Sequence, residues 1–278
     1  MKIKLAENYG FCFGVKRAIK IAEENTNSAT YGPLIHNNKE IERLNIDFQV
    51  ALSENLADFQ TGDKAVIRTH GIPKDELAEL YARQVDVVDA TCPYVTKPQQ
   101  ICEEMSEAGY DIVIFGDEKH PEIKGVKSYA INGAHVVTCV ADLEKIHLKD
   151  KIAVVAQTTR KVENYLEICN YLIPRHKEVR VFNTICNATF ENQDAVRKLA
   201  KEADIMIVIG GMNSSNTKQL QSIALEDLHK DSYHIEGADD LDASWFVGKK
   251  LCGISAGAST PDWIIQDVID GIEAMTKK

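Results

Sequence analysis

The chain has 278 residues, 44% of them hydrophobic and 27% charged, with 16 glycines, seven prolines and a net charge of −10. This composition excludes a disordered or low-complexity protein, and the acidic balance opposes nucleic-acid binding, which leaves a basic footprint. No apolar run approaches the roughly 20 residues of a membrane-spanning helix.

The opening residues, Met-Lys-Ile-Lys-Leu-Ala-Glu-Asn, lead into a strand rather than a secretory apolar segment, and a cytoplasmic location is expected. Further along, short β-branched runs at Ala65–Ile67, Val85–Val88, Ile112–Phe115, Ala153–Ala156, Val179–Phe182, Ile205–Ile209 and Leu251–Ile254 read as buried strands. Helical periodicity over Thr96–Ala108, Lys161–Ile173, Asn192–Ala203 and Thr217–Leu228 alternates with them, which predicts an α/β protein with mostly parallel sheets. Polar clusters begin where these runs stop: Arg68-Thr69-His70-Gly71, Asp89-Ala90-Thr91-Cys92-Pro93, Gly116 to Glu122, Gln157-Thr158-Thr159, Asn183 to Thr189, Gly210 to Thr217 and Ser255 to Pro261. Ligands of open α/β sheets bind beyond the carboxyl ends of the strands, so the clusters have a common reason to face one cavity.

Three of the seven cysteines, Cys12, Cys92 and Cys186, recur at about one third of the chain, in Gly-Phe-Cys-Phe-Gly, Ala-Thr-Cys-Pro and Thr-Ile-Cys-Asn. An odd number of cysteines in a reducing compartment fits metal ligands and buried thiols better than disulfides. The spacing suggests three lobes sharing one metal centre, with boundaries near residues 95 and 190: a lobe of 1–95 carrying Cys12 and Cys92, one of 96–190 carrying Cys186, and one of 191–278. No sequence repeat supports the division. Three thiolates on an iron–sulfur cluster would leave one iron open, but spacing alone is equally consistent with a structural zinc site or three unrelated thiols. Cys102 and Cys169 fall in helical patterns and Cys139 and Cys252 in apolar strands, where a buried small hydrophobe is the expected role.

His36, His70 and His120 sit at strand ends or turns, where an imidazole can donate to a phosphate or relay a proton. His135, His147, His176, His229 and His234 lack that setting and read as ordinary surface residues. Gly210-Gly211-Met212-Asn213-Ser214-Ser215-Asn216-Thr217 follows a strand and opens a helix, as an anion site at a helix N-terminus does, although a capped turn would look the same. Ser255-Ala256-Gly257-Ala258-Ser259-Thr260-Pro261 repeats the theme, and two such turns could grip a diphosphate. Glu122, after His120 and Pro121, has Thr158 as a candidate neighbour, and in a closed pocket its carboxyl could hold a proton for a reaction.

Taken together, GFCFGVKRAI from Gly10, IHN at Ile35, RTHG at Arg68, DATCPYVTK from Asp89, HPE at His120, QTT at Gln157, NTICNAT from Asn183, GGMNSSNTKQL from Gly210 and SAGASTPDW from Ser255 closely resemble the IspH/LytB family. The resemblance runs in family order over nearly the whole chain. It implies three small α/β lobes in a pseudo-threefold arrangement around a central [4Fe-4S] cluster held by Cys12, Cys92 and Cys186, with one iron free of protein thiolate. It also implies reductive dehydroxylation of 4-hydroxy-3-methylbut-2-enyl diphosphate to isopentenyl and dimethylallyl diphosphate. His36, His70, Ser214, Ser215, Asn216 and Ser259 would bind the diphosphate with His120 close by, while Thr158 and Glu122 position the substrate hydroxyl and supply a proton. Reduced ferredoxin or flavodoxin is the implied electron donor, and a monomer is expected. The competing readings are a zinc hydrolase of a phosphorylated substrate and a redox sensor, the latter having no need of Glu122 with Thr158.

Overall fold

The computed structural model describes residues 1–228 and 231–277; His229 therefore lies outside the described residues. In chain order the elements are β1 (Lys2–Leu5), α1 (Phe13–Glu24), β2 (Ser28–Tyr31), α2 (Asn38–Phe48), β3 (Val50–Ser53), β4 (Lys64–Ile67), α3 (Lys74–Ala82) and β5 (Asp86–Asp89). Next come α4 (Pro93–Glu107), β6 (Asp111–Phe115), α5 (Pro121–Ser128), β7 (Ala134–Val137), α6 (Val140–Leu143), β8 (Lys151–Ala156), α7 (Val162–Leu172) and β9 (Glu178–Val181). The last are α8 (Asn187–Ala200), β10 (Ile205–Ile209), α9 (Ser215–Leu228), β11 (Ser232–Ile235), β12 (Leu251–Ala256) and α10 (Asp262–Thr276). Among the described residues no helix is long and apolar enough to cross a membrane.

The strands form three parallel four-stranded sheets. One compact unit, made of Met1–Lys16, His36–Glu40 and the chain from Asn187 onward, holds the sheet β11-β10-β12-β1. A second, made of Arg17–Ile35 and Ile41–Cys186, holds β3-β2-β4-β5 and β7-β6-β8-β9. The strand order is the same three times, with β1 in the slot that β5 and β9 fill in their sheets. The expected first lobe, residues 1–95, thus does not keep its opening strand, because Lys2–Leu5 pair in register with Leu251–Ile254. Cys12, just after β1, goes with that sheet.

Burial of a parallel sheet on both faces explains why the central strands were legible as apolar runs. In β10 all five residues are buried: Ile205, Ile207 and Ile209 pack on Ile264, Ile265, Val268 and Ile272 of α10, and Met206 and Val208 on Val196, Leu199, Leu220 and Ile223 of α8 and α9. Each such side chain contributes about 1.5–3 kcal/mol on burial. In the second unit Ile112 and Ile114 of β6, with Ala153 and Val155 of β8, pack on Ile101 and Cys102 of α4 and on Ile123 and Val126 of α5. β2, β3 and β11 are strands the sequence pattern does not announce, and the strand expected around Cys139 is β7, which ends at Val137. β3 and β11 are edge strands of four residues, with burial broken by exposed or half-exposed positions, so alternation has too few residues in which to show.

Gly253 in β12 packs closely against Met206 of β10 and Leu199 of α8. A Cβ there would lie 2.3 Å from Met206 Sδ and 2.9 Å from Leu199 Cγ. Gly253→Ala is expected to cost about 1–3 kcal/mol by overpacking, seen as a lower thermal unfolding midpoint; an unchanged midpoint would mean that Met206 moves aside freely.

Candidate active site

Each of the three singled-out cysteines stands immediately before a helix: Cys12 before α1, Cys92 at the N-cap of α4 and Cys186 before α8. The Cys12 N–H donates to Ala258 O (3.2 Å), the Cys92 N–H to Thr69 O (3.0 Å) and the Cys186 N–H to Thr158 O (2.9 Å). Each acceptor is the second residue past the third strand of its sheet, after β12, β4 and β8. These three cysteine side chains are half-buried, whereas Cys102, Cys169 and Cys252 are buried. Burial pushes the thiols of Cys102 and Cys252 up to about 12 and raises that of Cys169, which disfavours them as ligands. Cys139, expected in a buried strand, is instead exposed at the N-cap of α6, because β7 ends at Val137.

In the first unit the chain leaves β10 through Gly210 and Gly211 and turns into α9. Gly210 has φ +153°, and a Cβ on Gly211 would lie 2.3 Å from His36 O, so glycine alone admits this approach. The same carbonyl accepts a hydrogen bond from Ser259 Oγ (3.2 Å), which ties His36 to both glycine-bearing turns. Ser214 Oγ accepts from the Thr217 N–H (3.2 Å): the serine caps the helix, as the simpler reading of the motif expects. Asn216 is 5% exposed, yet neither its Nδ2 nor its Oδ1 has a hydrogen-bond partner among the described residues. An unpaired buried amide is costly unless a ligand completes it. It lies in the first turn of α9, where the motif places its candidate anion site. His234, read from sequence as an ordinary surface residue, has its Nε2 2.8 Å from Gly210 O.

In the second unit Glu122 lies in the first turn of α5 and is 2% exposed. The Thr158 N–H donates to Glu122 Oε1 and the Thr158 hydroxyl to Oε2, both at 2.7 Å. Burial holds the Glu122 carboxyl above its ordinary range, and the Thr158 bonds and the Arg160 guanidinium pull it partway back. His120 caps α5, with its Nδ1 accepting from the Glu122 N–H (3.2 Å); this puts the ring proton on Nε2 and makes that nitrogen a donor. The His70 and His120 rings meet edge to face, centroids 5.5 Å apart. Here, then, His70, His120, Glu122 and Thr158 gather at the ends of β4, β6 and β8. Arg160, which the sequence reading passed over, stacks on Phe115 (5.5 Å to the ring centroid). The signal for it was adjacency: it follows Gln157-Thr158-Thr159 directly.

Comparison with known proteins is consistent over the full length. The family described as LytB protein matches residues 3–273. The protein of Sulfurimonas denitrificans named 4-hydroxy-3-methylbut-2-enyl diphosphate reductase is 76% identical over 273 residues, covering 98% of this chain and 99% of its own. One of the same name from Campylobacter curvus is 63% identical over 273 residues, with 98% and 99% covered. Among solved structures, that of (E)-4-hydroxy-3-methyl-but-2-enyl diphosphate reductase, the terminal enzyme of the non-mevalonate pathway, matches at TM-score 0.71 and 43% identity, covering 98% of this chain and 99% of that one. The Plasmodium falciparum E-1-hydroxy-2-methyl-but-2-enyl-4-diphosphate reductase matches at TM-score 0.91 and 26% identity, covering 98% and 88%.

Proposed function

The chain belongs to the LytB protein family, and from that premise we propose that it is a 4-hydroxy-3-methylbut-2-enyl diphosphate reductase, forming isopentenyl and dimethylallyl diphosphate in the last step of the non-mevalonate isoprenoid route. The observation that carries the mechanism is the buried Glu122 carboxyl held by both donors of Thr158. The donor set fits a [4Fe-4S] cluster on Cys12, Cys92 and Cys186: three half-buried thiols before helix N-termini, against three buried thiols disfavoured as ligands. When bound, the cluster would pass on two electrons, one at a time, from the external donor and would supply a Lewis-acidic iron free of protein thiolate. Reduced ferredoxin or flavodoxin is the proposed donor, and the protein acts as a cytoplasmic monomer.

The residues of the chain do the rest. Ser214, Ser215, Asn216 and Ser259, with His36 and His70, bind the diphosphate. The Nε2–H of His120 is a further donor proposed for it. The reaction replaces a C–OH bond by C–H, consuming two electrons and two protons and releasing water. Glu122 holds the first proton, and the Thr158 hydroxyl, which can accept from Glu122 while donating onward, passes it to the departing hydroxyl. The second proton reaches carbon from the bound diphosphate, and its delivery at either end of the allylic unit gives the two products.

Because the folded Glu122 carboxyl sits above its unfolded value, its contribution to stability is fully present below the unfolded value and is lost as pH rises through the folded one. Activity that needs the protonated acid follows the same upper limb. Arg160 favours the charged form, so Arg160→Leu is expected to move the alkaline limb of the pH–rate profile to higher pH, while Arg160→Lys holds it nearer the parent. A limb that stays put in Arg160→Leu would assign it to another group. The function itself is tested by anaerobic incubation of substrate with a low-potential reductant: both five-carbon diphosphates are expected, whereas a hydrolase would release phosphate without consuming electrons.

A further inference from the structure

We propose that His234 and Glu236 are positioning residues that clamp the loop from Gly210 to Ser214 in the shape that presents Ser214, Ser215 and Asn216 to the substrate diphosphate. The proposal rests on the diphosphate reading of that loop and identifies what holds it. His234 and Glu236 lie two residues apart, at the end of β11 and just beyond it, so they project to one side of the sheet. Ile235, between them, is buried in the core with Ile264 and Ile265 of α10. On their side each meets the loop main chain. Because Gly210 O can only accept, His234 Nε2 donates to it (2.8 Å). Glu236 Oε1 accepts from the Met212 N–H (2.7 Å). The Gly210 N–H donates in turn to Ile235 O (2.8 Å). Three consecutive residues at the strand end thus hold Gly210 and Met212, the first and third residues of the loop.

The loop needs an outside clamp because its own sequence offers none. Gly210 and Gly211 carry no side chain, and Met212 is 44% exposed. Two consecutive glycines lose more conformational entropy on ordering than any other pair. The next turn depends on them, since the Ser214 N–H donates to Gly211 O (2.9 Å) before α9 begins. Glu236 is itself braced, its N–H donating to the Asp240 carboxylate (2.8 Å). Neither His234 nor Glu236 belongs to any of the motifs that carry the family resemblance.

The test compares Glu236→Ala, Glu236→Gln and His234→Ala with the parent holoenzyme, all with iron and sulfide counted. Steady-state kinetics would be measured with the substrate and calorimetric affinity with inorganic pyrophosphate. Losing one charged acceptor on a binding loop is expected to raise KM and weaken pyrophosphate affinity by about tenfold, with little change in kcat. Glu236→Gln, which keeps an acceptor oxygen, is expected to restore most of the loss. Unchanged KM and pyrophosphate affinity in Glu236→Ala and His234→Ala would overturn the clamp. So would a Glu236→Gln variant as impaired as Glu236→Ala, with both melting at lower temperature, since that describes a merely structural residue. A parent protein with a full cluster that neither turns over substrate nor binds pyrophosphate would overturn the diphosphate reading itself, and the clamp with it.

Discussion

Glu122→Gln is expected to lower turnover by about 10²–10⁴-fold, the usual contribution of a positioned acid, while leaving iron content, the visible spectrum and substrate affinity close to the parent. The carboxyl is enclosed, and its two oxygens face a backbone N–H and a hydroxyl of the same residue, Thr158. Glutamine fills the same volume and can keep an oxygen on the Thr158 N–H, so the fold around α5 has no reason to change. It has no acidic proton to give. Measuring kcat, KM and iron on one preparation separates the outcomes. Loss of the cluster in Glu122→Gln would make the residue structural, and retained turnover would move the proton source elsewhere, to His120 or to the diphosphate alone.

Serine at Cys12, Cys92 or Cys186 is expected to lower iron and sulfide content several-fold and to abolish measurable turnover, whereas Cys139→Ser leaves both intact. Each of the three precedes a helix and anchors its N–H on a carbonyl beyond a neighbouring strand, so its sulfur is fixed by the sheet rather than by a loose loop. A hydroxyl is a far poorer ligand than a thiolate for iron. Cys139 is exposed at the start of α6, which makes it the proper control for a change of cysteine to serine. Iron and sulfide analysis of the four variants, purified without oxygen, decides the matter. A Cys92→Ser protein that keeps its full iron, or a Cys139→Ser protein that loses it, would mean that the ligand set has been misassigned.

The sequence pattern made the core strands legible because burial on both faces writes them as apolar runs, as in Ile205–Ile209. It left β3 and β11 hidden, since these edge strands carry residues such as Ala51, Leu52 and Tyr233 with side chains partly in water. The cysteine spacing pointed to three lobes, but no sequence repeat accompanied them, for another reason. A glycine follows the second strand of every sheet, Gly32, Gly116 and Gly210, and the fifth residue past that strand is His36, His120 and Ser214 in turn. The backbone positions repeat while the side chains differ, so little sequence identity survives to be found. The third copy also borrows its last strand, β1, from the start of the chain, which breaks any search at a fixed period. Among the proposed site residues, those in compact motifs were named from spacing and resemblance together. Arg160, His234 and Glu236 act through packing and main-chain hydrogen bonds, which residue type alone does not announce.

The most direct test of the account is the anaerobic oxidation of reduced methyl viologen by protein whose iron and sulfide have been counted, with and without 4-hydroxy-3-methylbut-2-enyl diphosphate. Oxidation that requires the substrate, scales with cluster content and disappears after exposure to air is the predicted result. A protein carrying a full cluster that leaves methyl viologen reduced in the presence of substrate, or a colourless zinc-bound protein that does so, would contradict it.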